Sequence, residues 1–114
     1  MGLDMSLYVA SNDDPYSEEI AYWRKHPNLH GFFEQKWHDA GWDGDMNCVN
    51  FTLTEEILDE AIFKVMMNAL PHTDGYFFGE SKYTPESVDY DINLLTKAKD
   101  LIQEGRTVIY CADW

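Results

Sequence analysis

The 114-residue sequence predicts a single α+β domain over residues 1–114, a three- to four-stranded sheet packed against three to four helices. Three observations predict it. Leu3, Met5, Leu7 and Val9 alternate with Asp4, Ser6 and Tyr8, the period of a half-buried strand. Residues 57–70 and 88–102 carry apolar side chains at helical spacing. The composition, 45% hydrophobic and 15% aromatic, is too apolar for a disordered acidic chain and suffices for one core.

The opening strand ends in Ser11-Asn12-Asp13-Asp14-Pro15, a loop by composition. A short helix is expected from Tyr16 or Ser17, with Glu18 and Glu19 at its positive end and Ile20 and Trp23 or Arg24 on one face. Pro27 disfavours helical geometry at His26 and stops it. Asn28 suits the N-cap of a second helix from Leu29 to Ala40, with Leu29, Phe32, Phe33 and Trp37 inward. Gly41 and Gly44 close it in an aspartate-rich turn.

Residues 46–53 alternate as a second strand. Thr54 caps a third helix with Glu55 and Glu56 in its first turn, and its apolar stripe runs from Ile57 to Leu70 before Pro71. Tyr76-Phe77-Phe78, between Gly75 and Gly79, reads as a short strand or buried connector. Thr84-Pro85-Glu86 starts a helix that runs to Glu104 and closes at Gly105. Residues 107–111 are apolar on both faces and read as a central strand.

The net charge is −13, yet residues 24–38 hold Arg24, Lys25 and Lys36 against Glu34 alone. The wider stretch from Tyr22 to Trp42 contains three of the four histidines and three of the four tryptophans. A cationic, aromatic island in an anionic body is a candidate site for an anion or a flat ring. Its candidate ligand-binding residues are Tyr22, Trp23, Arg24, Lys25, His26, Asn28 and His30. The acidic balance excludes direct binding to nucleic-acid backbones and to anionic membrane surfaces. It suits a basic partner protein, for which Glu55, Glu56, Asp59 and Glu60 form a candidate surface.

No metal site or cofactor is expected. Pro27 separates His26 from His30, and His30 lies about 12 Å from His38 along a helix axis. No nucleotide-type glycine loop occurs. Cys48 and Cys111 make no disulfide framework, and no signal peptide or membrane span is read, so a cytoplasmic setting is expected. As an enzyme, the chain would use Cys48 or His30 with Arg24 and Lys25. A structural role, with the island as a homodimer contact, is a further alternative.

The opening Met-Gly-Leu-Asp-Met, then YWRKHPNLHG, the Asn47-Cys48 strand, Leu70-Pro71 leading into GYFFG, and a terminal tryptophan stretch over nearly the whole chain. In these the sequence resembles a functionally unassigned family of short proteins met in phage and prophage genomes. It departs from the pattern at Ser6, where an aromatic is common, and at Asp113, where a second tryptophan is. The resemblance implies a phage-type accessory protein in a bacterial host cytoplasm and supplies no catalytic residues. The expectation is a binding protein that blocks a host protein or sequesters a small anionic, nucleotide-like ligand, in the manner of a counter-defence factor.

Overall fold

A computed structural model describes residues 2–75 and 78–114. The elements run β1 (Asp4–Ser11), β2 (Asp14–Arg24), α1 (Pro27–Asp39), β3 (Phe51–Thr52), α2 (Glu55–Met66), α3 (Pro85–Gln103) and β4 (Thr107–Asp113). The strands form one sheet in the order β2-β1-β4-β3, with every pair antiparallel. The fold is α+β, as the sequence predicts.

The largest departure lies in residues 14–24, where a strand replaces the expected helix. Asn12 and Asp13 take φ of 52° and 69°. Two consecutive left-handed residues make the tight hairpin turn whose twist matches paired strands, and Asn and Asp tolerate that conformation. β2 is thereby folded back on β1, with Ser11 opposite Asp14 and Asp4 opposite Arg24. A register shift between Leu7 and Tyr8 lets both Ile20 and Ala21 turn inward. Beyond it, Trp23 is buried while Tyr22 and Arg24 face out.

On the core face, Leu3, Met5, Leu7 and Val9 are fully buried. Met5, Leu7 and Val9 stand opposite Ala112, Tyr110 and Val108 of β4. Each large apolar side chain so enclosed contributes about 1.5–3 kcal/mol relative to exposure. The Phe33 ring of α1 lies 4.4 Å from that of Tyr110. Leu58, Ala61 and Val65 of α2 and Leu95 and Ala98 of α3 complete one cluster.

Three boundaries differ from the sequence reading. α1 begins at Pro27, with His26 rather than Asn28 as its cap residue. The locked φ of proline suits the first helical position, so Pro27 starts a helix rather than ending one. The strand expected over 46–53 shrinks to Phe51–Thr52 and a lone bridge from Asn47 to Ala112. Cys48, at φ 59°, turns the chain between them. α2 stops at Met66 instead of Leu70, because Asn68 takes the left-handed conformation (φ 52°) that ends helices. Phe78 is buried, whereas Tyr76 and Phe77 of the expected connector fall outside the described residues.

Candidate functional site

The end of β2 and the first half of α3 meet around one buried carboxylate. Asp91 is only 3% exposed and faces inward from α3. Its Oδ1 accepts the indole N–H of Trp23 at 2.8 Å, and its Oδ2 lies 2.7 Å from Nε2 of His26. Trp23 and His26 are themselves buried. An unpaired carboxylate is too costly to bury, so this three-residue network sets the distance between β2 and α3. Tyr90 closes the same seam from outside: its hydroxyl donates to the Tyr22 carbonyl at 2.6 Å, and its ring meets Trp23 edge-on.

Above this floor lies a groove of about 900 Å³ lined by Tyr22, Trp23, Arg24, Lys25, His26, Glu80, Lys82, Glu86, Ser87, Tyr90 and Asp91. Tyr22 and Tyr90 remain 41% and 48% exposed, which leaves aromatic surface for a ring to cover. Arg24 stands 4.0 Å from Asp4, whose other contact is the Tyr22 hydroxyl at 2.5 Å. That hydrogen bond raises the Tyr22 phenol above its ordinary range, so the ring stays neutral. Lys25 holds a left-handed backbone (φ 55°) pinned by its N–H to the Leu3 carbonyl at 2.7 Å. Its stem crosses Gly79, itself at φ 74°, where any side chain would press against it. Among the described residues, Lys25, Lys82, Glu80 and Glu86 make no ion pair within the chain. The groove is therefore rimmed by both signs of charge, with two cations and two carboxylates available to a ligand.

Of the seven candidate residues, Tyr22 to His26 line this groove. Asn28 and His30 do not. The Asn28 side chain accepts from the Thr73 N–H at 3.0 Å and donates to the Tyr83 hydroxyl at 2.7 Å, tying α1 to the two loops beside it. His30 is 1% exposed in the core, with Nδ1 2.6 Å from the Tyr110 hydroxyl and Phe78 and Trp114 edge-on to its ring. Among the described residues its Nε2 has no hydrogen-bond partner, and a Glu34 carboxylate oxygen is 3.9 Å away. Burial holds His30 down to about 4 and keeps it neutral.

The other candidates lie apart from the groove. No hydrogen bond joins Cys48 to His30 among the described residues. Cys48 is exposed with its thiol 3.6 Å from the side-chain Oδ1 of Asn47. Burial, then the neighbouring Cys48 and Asp113, raises the Cys111 thiol, which makes it a poor nucleophile. On the outer side of α2, Asp59 pairs with Lys99 at 2.6 Å and Glu60 with Lys36 at 2.7 Å. Glu55 accepts from Gln103 at 2.8 Å. Such surface pairs add about 0–1 kcal/mol each, but they occupy much of the charge a basic partner would need. Among the described residues no cluster of His, Cys, Asp and Glu has the arrangement to hold a metal ion. No helix there is long and apolar enough to cross a membrane.

The half of the groove contributed by residues 80–91 carries no ligand signal in the sequence beyond the helix start at Thr84-Pro85-Glu86. Glu80, Lys82 and Glu86 read as solvated loop and helix charges, and Asp91 as one more acid on an acidic helix. The clue to Asp91 lay in its spacing: it falls one turn before Leu95 and two before Ala98, on the face of α3 that turns inward. No protein-family model, curated protein or solved structure matches the chain.

Proposed function

We propose that the protein is a phage-type accessory factor that sequesters a small ligand carrying both a flat ring and an anionic group, a nucleotide-like molecule, in the groove between β2 and α3. The observation that carries the reading is the groove itself. Five consecutive residues, Tyr22 to His26, converge there with Lys82 and Tyr90. Tyr22 and Tyr90 offer stacking faces, and Lys25 and Lys82 offer cations without an ion pair among the described residues. Glu80 and Glu86 supply acceptors for the amino groups of a base and disfavour a ligand that is anionic throughout. The phage context, the host cytoplasm and a counter-defence role rest on the resemblance carried by YWRKHPNLHG. Blocking a basic host protein is the weaker form, because Asp59 and Glu60 are already paired.

A thermal-shift screen of nucleotides and related anionic metabolites tests the reading. Ligand present at a hundredfold excess over its Kd adds about 2.7 kcal/mol, a rise in Tm of about 10 °C for a domain of this size. The rise is expected to vanish when Lys25 and Lys82 are both replaced by Glu. A flat response across the whole panel contradicts it.

A further inference from the structure

α1 lacks a cap of its own. Its cap residue, His26, makes no side-chain bond to the first turn. Ser81, from the loop before α3, takes that place: its Oγ accepts the Asn28 N–H at 3.0 Å. The same Oγ lies 2.7 Å from Nδ1 of His26, whose Nε2 lies 2.7 Å from Asp91. A cap needs only an oxygen. It does not need a buried imidazole behind it, or a buried carboxylate behind the imidazole.

From this geometry we propose that Ser81 is an activated nucleophile, with His26 as its general base and Asp91 as the positioning residue, in a site for short-chain, neutral or cationic carboxylic esters. The Asp91 carboxylate is held by the Trp23 indole and takes the Nε2–H of His26. This fixes the tautomer in which Nδ1 is the free acceptor, and Nδ1 faces the Ser81 hydroxyl. Ser81 sits at the N-terminus of a 13-residue helix, where backbone N–H groups favour developing negative charge. It opens on its own cavity of about 230 Å³, lined by Asn28, Thr73, Asp74, Gly79, Glu80 and Tyr83. The small volume selects a short acyl group, and the Glu80 carboxylate, beside the His72–Asp74 pair, disfavours anionic substrates.

In the reaction, Ser81 Oγ bonds to the ester carbonyl carbon and its proton passes to Nδ1 of His26. The carbon–alkoxy bond then breaks, and His26 returns that proton to the departing alkoxide as an alcohol. Water, giving a proton to the same Nδ1, attacks the acyl carbon and breaks its bond to Oγ. Ser81 recovers its proton and a carboxylic acid leaves. Ester and water become acid and alcohol, with no other reactant.

This cavity adjoins the β2–α3 groove, with Glu80 on both, but the proposal stands without the ligand reading. Intact protein is treated with diisopropyl fluorophosphate, a neutral serine reagent, and its peptides are read by mass spectrometry. The expected result is one diisopropylphosphoryl adduct at Ser81, absent from denatured protein and from Ser81→Ala. p-Nitrophenyl acetate hydrolysis above the buffer rate should be lost in the same variant. Asp91→Asn, if folded by circular dichroism, should label at least 100-fold more slowly and lack the rise of rate with pH expected of the wild type. Absence of an adduct on folded wild-type protein overturns the proposal. So does labelling of folded His26→Gln or Asp91→Asn at the wild-type rate.

Discussion

Replacing Asp91 by Ala is expected to destabilise the protein by about 3–5 kcal/mol. The substitution strands two donors in the interior, the Trp23 indole N–H at 2.8 Å and the His26 Nε2–H at 2.7 Å. Each buried group left without its partner costs about 1–3 kcal/mol, more where charge is involved. Local propensity acts the other way, since Ala in place of Asp inside a helix gains at most about 0.7 kcal/mol. A net loss therefore identifies the network as the dominant effect. Asp89→Ala, two residues earlier and exposed, shares the propensity gain without the network and serves as the control. Urea unfolding of both variants measures the difference. A domain of this kind has only about 5–15 kcal/mol in hand, so Asp91→Ala should sit near the edge of folding.

The second large effect is a dependence of stability on pH centred on His30. In the unfolded chain this ring takes up a proton near its ordinary value of 6.5, whereas burial holds it to about 4 in the fold. Between those values the unfolded chain binds more protons than the folded one, so stability rises with pH. The contribution of the neutral ring is complete above about pH 6.5 and is lost progressively as the pH falls through 4. The gap is about 2.5 pH units, and at about 1.4 kcal/mol per unit it amounts to about 3.5 kcal/mol. His30→Phe removes this dependence. The variant will be less stable at neutral pH, since the buried Tyr110 hydroxyl loses its partner at 2.6 Å. Its stability should nevertheless fall less than that of the wild type between pH 6.5 and 4, as measured by urea melts across that range. Parallel curves for the two proteins would place the acid sensitivity elsewhere.

Much of the fold is legible in the sequence because local signals and burial agree there. β1, α2 and α3 each have an apolar period matching the face they bury, and β4, apolar from Val108 to Ala112, is buried on both faces at the middle of the sheet. β2 failed that test for a specific reason. Glu18 and Glu19 resemble the acidic first turn of a helix, while the true signal was the two-residue Asn12-Asp13 turn that pairs β2 with β1. For the groove, the sequence exposes one wall only. Tyr22 to His26 stand out as a cationic, aromatic run against a net charge of −13. The opposite wall comes from residues more than fifty positions later, joined to the first through the Trp23–Asp91–His26 network and the Tyr90–Tyr22 hydrogen bond. Composition also placed His30 with the island, although the turn of α1 rotates it into the core. Ser81 gave no signal at all, since its role depends on a helix end supplied by distant sequence.

The central claim is that the groove between β2 and α3 receives a ligand with a ring and an anionic group. Its most direct test is a titration of isotope-labelled protein with a series of nucleoside monophosphates, followed by amide chemical shifts. Saturable shifts are expected for at least one member, confined to residues 22–26, 80–82 and 86–91. Spectra unchanged by every member, or shifts gathered on the outer face of α2, would contradict it.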